Sequence, residues 1–163
     1  MTAARKRTAQ HHDNEREELP LAQAAQYLLD ECRMVLPGIQ ALFGFQLIAV
    51  FSDGFGRDLT PQEQWLHLAA ITMTSISMAL IMTPAAFHRF SGAREVSSEF
   101  IRISTRLLLA SMVPLALSIS SDVYLIARIL AGSKAAGAIA GSSLTIFVLM
   151  WFVLPRRWAL RGD

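Results

Sequence analysis

Residues 34–52, 64–88, 107–121 and 135–155 contain no Asp, Glu, Lys or Arg. The hydrocarbon core of a bilayer is about 30 Å thick, and at about 1.5 Å rise per residue it takes roughly 20 helical residues to cross. Each window comes near that length. Inside lipid every backbone N–H and C=O must find its partner within the chain, which leaves helices and closed barrels. The windows are continuously apolar and lack the in-and-out alternation of barrel strands. They predict four spanning helices, at about 35–51, 65–87, 103–127 and 135–154. The third has the shortest charge-free core, so either Arg106 snorkels at its start or Asp122 falls near its end. The expected fold is therefore all-α, a four-helix transmembrane bundle over residues 20–158. A disordered cytoplasmic tail, residues 1–19, precedes it and a short one, residues 159–163, follows.

Composition agrees with that placement. Of 163 residues 53% are apolar and only 17% charged, with a mean hydropathy of +0.38. Soluble domains carry about a quarter charged residues, so soluble and nucleic-acid-binding classes are excluded. A single cysteine, Cys32, excludes an internal disulfide. It sits beside the first span, where lipidation is chemically open but a plain buried thiol is the expectation.

Orientation follows from the basic residues outside the spans. Arg5, Lys6, Arg7, Arg16 and Arg33 precede the first span, Arg89, Arg94, Arg102 and Arg106 lie between the second and third, and Arg156, Arg157 and Arg161 follow the fourth. Only Arg57, Arg128 and Lys134 fall on the other side, so both termini are expected in the cytoplasm. The first apolar stretch follows a long polar segment and has no small-residue cleavage pattern, so it reads as a retained signal anchor.

Between the spans the pattern is amphipathic. Leu21, Ala24, Ala25, Leu28, Leu29, Cys32, Val35 and Leu36 mark one helical face. They predict an interfacial lead-in helix before span 1, bent into it at Pro37-Gly38. A second lead-in before span 3 is expected from Val96, Phe100, Ile103 and Leu107. Thr60-Pro61-Gln62-Glu63 is a helix start: Thr60 suits the cap, Pro61 the first position, and Glu63 reaches back as in a capping box. Trp65 follows at headgroup height.

Association of helices in lipid favours small residues that let backbones approach. Span 4 carries Ser133, Gly137, Gly141 and Thr145 on one stripe, and span 2 carries Ser75, Ala79 and Thr83. These stripes are expected to pack on each other within one protomer, with a dimer contact as the alternative.

Leu28-Leu29-Asp30-Glu31-Cys32-Arg33, Pro37-Gly38-Ile39-Gln40-Ala41-Leu42-Phe43-Gly44-Phe45-Gln46 and Pro84-Ala85-Ala86-Phe87-His88-Arg89 together resemble a family of small bacterial four-span membrane proteins, mainly actinobacterial, catalogued as a domain of unknown function. The resemblance covers about residues 25–131, and Pro-x-x-x-His-Arg is its most specific part. It implies a bacterial inner-membrane location and carries over no catalytic or binding residue.

Polar residues within a bilayer are costly and mark candidate function. Gln40 and Gln46 are six apart and share a face poorly, so Gln40 is expected to make one interhelical hydrogen bond near Pro37. His67 lies just inside Trp65. Asp122 lies 16 residues beyond Arg106, about 24 Å along a helix, which brings it to the same outer third. A proton-responsive His67–Asp122 pair is geometrically open, against the plainer reading that both meet headgroups or water. His88 and Arg89, just after Pro84, suit a phosphate or partner contact. No phosphate loop, His-Glu-x-x-His or Gly-x-Ser-x-Gly occurs in the sequence. The expectation is a non-enzymatic protein without cofactors, whose partners are the lipid bilayer and either a second copy or other membrane subunits. The competing expectation is an oligomeric channel or small carrier using Gln40, His67 and Asp122.

Overall fold

The computed structural model describes the backbone of residues 2–90 and 98–159 and the side chains of residues 23–87, 89 and 98–157. Helix α1 spans Thr2–Val50, a short α2 spans Asp53–Asp58, α3 spans Pro61–Phe90 and α4 spans Ser98–Val148. A π-helical stretch, Leu149–Val153, leads into α5, Leu154–Ala159. No strand occurs among the described residues. Three helices are long and apolar enough to cross a membrane, within Gln23–Val50, Pro61–Phe87 and Ser98–Arg157, which points to a membrane protein.

The start of α3 is set by local chemistry. The Thr60 N–H donates to Glu63 Oε2 at 2.8 Å, and the Thr60 hydroxyl donates to the same oxygen at 2.8 Å. Glu63 therefore closes one arm of the expected capping box. The other arm is not made, since the Thr60 hydroxyl turns to the carboxylate and away from the helix N–H groups.

Pro37-Gly38 does not interrupt the helix: α1 runs unbroken through both residues. The lead-in and the first apolar segment are thus one helix. Its buried side, Ala25, Leu28, Cys32, Ile39 and Gln46, keeps a seven-residue repeat through Ala25, Cys32, Ile39 and Gln46, and that shared packing side continues the helix past the hydrogen bond that Pro37 cannot make. The buried Cys32 thiol belongs to this side.

Helix α3 buries Glu63, His67, Ala70, Thr74, Ser77, Ile81 and Pro84. The spacing alternates between four and three along the whole helix, the repeat of left-handed, shallow-angle packing. Against it α4 sets Phe100, Ser104, Ser111, Pro114, Ser118 and Leu125. Beside Ile81, Phe100 and Leu125 much of the interior is small or polar, while other bulky apolar residues such as Ile76, Met82, Val113 and Leu117 point outward. Such an arrangement suits lipid, where close approach and hydrogen bonds replace the drive to hide apolar bulk. Ser77, fully buried, donates to the Ser111 carbonyl at 2.8 Å in the turn before Pro114. The amphipathic face expected before span 3 is correspondingly rotated: Phe100 is buried and Ser104 follows it, whereas Ile103 is half exposed. Val96 lies outside the described residues.

Helix α4 is two helical segments meeting at Gly132, whose backbone, at φ 80° and ψ 168°, is not helical. That region of dihedral space belongs almost solely to glycine. After it the chain turns back: one shallow groove is lined by Leu117, Ser120, Ser121 and Tyr124 from before the break and by Gly137, Ala140, Gly141 and Leu144 from after it. Beyond Ala136 no described residue is buried.

The two small-residue stripes do not meet within the protomer. Ser75, Ala79, Thr83, Ser133, Gly137, Gly141 and Thr145 are all exposed. Ser75, Thr83 and Thr145 turn their hydroxyls to carbonyls four residues back on their own helices. The interior side of α3 is rotated by one residue from the expected stripe and consists of Thr74, Ser77 and Ile81. Gly137 and Gly141 border the 117–124 segment, the neighbour that the turn at Gly132 gives them.

Candidate functional site

At the end of the bundle that carries α2, three helices each contribute a polar side chain to one buried cluster. Gln46, near the C-terminus of α1, is buried on the same side as Ile39. Its amide Nε2 donates to Ser118 Oγ at 2.9 Å and to Asp122 Oδ2 at 2.7 Å. His67, two turns into α3, places Nε2 2.9 Å from the Gln46 carbonyl oxygen. Its other nitrogen, Nδ1, faces Asp122 Oδ1 at 3.5 Å, with the two side chains 7% and 18% exposed. The edge of the Phe55 ring meets the imidazole, centroids 5.3 Å apart, and closes the cluster from the α2 side.

Ser118 connects this cluster to the interior of the α3–α4 contact. Its hydroxyl lies 2.7 Å from Thr74 Oγ1 and 2.9 Å from the Ala70 carbonyl. Both Ser118 and Thr74 are completely buried. One hydroxyl thus joins α1, α3 and α4 by hydrogen bonds, in surroundings where an unmade bond costs its full desolvation.

Besides Ser120 Oγ, the described residues leave two buried side-chain atoms without a hydrogen-bond partner, both acceptors of this cluster: Gln46 Oε1 and Asp122 Oδ1. They belong to residues on the wall of a cavity of about 410 Å³. Leu42, Phe45, Ala49, Leu125, Ile126 and Ile129 supply most of its surface, Phe55 and Asp58 close the α2 side, and Gln46, His67 and Asp122 form its polar part. An apolar hollow with a few convergent polar groups is the usual constitution of a small-molecule site.

Beside it stands a second charged group. Arg128 grips the Glu63 carboxylate through two nitrogens and donates from Nη1 to the Asp58 carbonyl at 3.1 Å. Helix α4 is thereby tied both to the first turn of α3 and to the end of α2. Asp58 is also paired with Arg57, whose guanidinium donates to its carboxylate at 3.0 Å and lowers its pKa. No group of three or more His, Cys, Asp or Glu that would hold a metal ion occurs among the described residues.

The expected candidates divide. His67 and Asp122 are brought together, where the plainer expectation had left them to headgroups or water. Gln40 is exposed on α1, and the hydrogen bond to a neighbouring helix falls to Gln46, one face away. The signal for Gln46 was present in the sequence: continuing the Leu28–Cys32 stripe by sevens passes through Ile39 to Gln46. Arg89 is exposed at the end of α3, and the side chain of His88 lies outside the described residues. Ser118, Thr74, Glu63 and Arg128 were missed as members of one site, because each is unremarkable until its neighbour across the helix contact is known.

Residues 14–155 match a family of unknown function (DUF6328). The chain belongs to this family. The match takes in every residue of the cluster, from Gln46 to Arg128, and both sides of the Gly132 turn. No curated protein and no solved structure matches the chain.

Proposed function

We propose that the chain is a non-enzymatic, multi-pass protein of the bacterial inner membrane, crossing it four times with both termini in the cytoplasm, and that the Gln46–His67–Asp122 cluster with its cavity is a site for a small molecule near the periplasmic face. The orientation rests on the distribution of Lys and Arg, and the fourth crossing on the reversal at Gly132. The observation that carries the functional reading is the meeting of a carboxylate and an imidazole, both largely buried and from different helices, at the wall of an apolar cavity. Ionisable groups at membrane depth are expensive, and a site that uses them is the usual reason they are kept. This moves the balance from a protein acting by helix contacts alone toward the channel or carrier alternative, with Gln46 in the place expected of Gln40.

The test is native mass spectrometry of the protein released gently from its own membrane. A small molecule retained by the wild type and lost on Ala49→Phe, which fills the cavity without touching the polar cluster, is the expected result. Protein carrying only phospholipid in both forms would overturn the assignment. A reporter fused after Asp163 that reads periplasmic would overturn the topology.

A second reading, docking of a second copy or another membrane subunit, is favoured by the helix after Gly132, which carries Ile139, Ile146, Leu149 and Met150 exposed. Its test is cross-linking in the membrane from residue 146, where a discrete heavier species supports it and monomer alone removes it.

A further inference from the structure

We propose that the molecule this site takes is an organic cation: an ammonium head with N–H donors, which displaces the proton held between His67 and Asp122, on an apolar body that fills the cavity. The proposal rests on the reading of the cavity as a small-molecule site and names the ligand's class.

The argument begins with hydrogen positions. A carbonyl oxygen only accepts, so His67 Nε2, 2.9 Å from the Gln46 carbonyl, carries a hydrogen. In a neutral imidazole Nδ1 is then a bare lone pair. It faces Asp122 Oδ1 at 3.5 Å, and an ionised carboxylate is likewise an acceptor only. Two acceptors face each other, and the conflict is relieved by a single proton on either of them. The pair therefore holds a place for one positive charge.

The rest of the cluster has the same polarity. Gln46 Nε2 uses both of its hydrogens, on Ser118 Oγ and Asp122 Oδ2, and leaves Oε1 without a donor. Once the proton has gone, Gln46 Oε1, Asp122 Oδ1 and His67 Nδ1 are three acceptors with no hydrogen among them. The nearby protein cations are engaged elsewhere: Arg128 on Glu63 and the Asp58 carbonyl, Arg57 on Asp58. An anionic head would face the Asp122 carboxylate and, across the cavity, Asp58. A neutral hydroxyl donates one hydrogen and supplies no charge. An ammonium supplies both a charge and several donors. Leu42, Phe45, Leu125 and Ile126 offer an apolar body its surroundings.

Binding then exchanges charge for charge. The cation enters, the proton leaves for solvent, and the net charge at membrane depth is unchanged, which avoids the cost of an uncompensated charge there. Because proton and cation compete for one place, apparent affinity rises as pH rises. The other titratable group on the cavity wall is Asp58 from α2, with the paired Glu63 of α3 and Arg128 of α4 beside it.

The test uses the full chain in mild detergent and a fluorescent probe, naphthylmethylammonium, beside neutral naphthylmethanol and anionic naphthylacetate, which share its ring system. The ammonium is expected to bind most tightly, more tightly at higher pH, and to acidify a weakly buffered solution in proportion to the amount bound. Asp122→Asn should weaken it about 10- to 100-fold, the range expected for losing a hydrogen bond to a charged group. His67→Gln should abolish proton release while the ammonium still binds. Should either substitution unfold the chain, Ala49→Phe serves in its place, since it should abolish binding of the ammonium by occupying its space. Equal or tighter binding of the alcohol or the acid overturns the cation assignment and leaves the small-molecule site standing. Binding of none of the three overturns both, and ammonium binding without proton release overturns the exchange.

Discussion

The α3–α4 contact before Gly132 and the helix after it are made from similar proportions of small and apolar residues, yet they are held very differently. In the first, Thr74, Ser77 and Ser118 are completely buried and each makes a hydrogen bond across to, or within, the neighbouring helix. In the second, Ser142 and Thr145 are exposed and bond only to carbonyls of their own helix. What separates the two is register. A hydroxyl stabilises a helix pair only when the seven-residue repeat turns it inward.

Four experiments sharpen that contrast. Ser118→Leu should be the most damaging, since it forces a bulky chain into a filled contact and strips partners from Gln46 and Thr74; a loss of about 3 kcal/mol is expected in reversible SDS-titrated unfolding. Gly132→Ala meets no atom within 4 Å of the added Cβ. Its cost is conformational alone, about 1–3 kcal/mol for an L residue in that region, and the same titration reads it. A loss below a few tenths would mean that the turn is made some other way. Glu63→Gln and Arg128→Met, combined in a double-mutant cycle, should give a coupling of about 1 kcal/mol, because the pair is partly exposed and screened. Thr145→Leu and Ser75→Leu should change stability by less than about 0.5 kcal/mol. A large effect for Thr145→Leu would show that the outward stripe is occupied in the membrane and break the contrast.

Much of the helical layout was legible. The charge-free windows lie inside the helices found, except for Phe51 and Ser52 just beyond α1, and Thr60-Pro61-Gln62-Glu63 does open α3 at Pro61, because caps and charges act locally. The contact of His67 with Asp122 was legible as a possibility, since both positions follow from counting rise per residue. Rotation about the helix axis was not. Gln40 and Gln46 are equally costly in lipid, and only the partner's side chains decide which is turned inward. The same holds for Thr74 against Ser75, adjacent residues of like chemistry that face opposite ways. Pro37 misled for a related reason: the local rule that proline breaks a helix was overridden by a packing side that continues past it.

Glu63 has a consequence for how the molecule is made. Its carboxylate serves the Thr60 turn and receives Arg128, while Gln46 waits on Ser118 and Asp122, and all three of these partners lie more than 50 residues farther along the chain. During synthesis the first two helices therefore emerge with their α4 partners still to come. The N-terminal half therefore lacks the partners of Gln46 and Glu63 until residues 118–128 arrive to complete them.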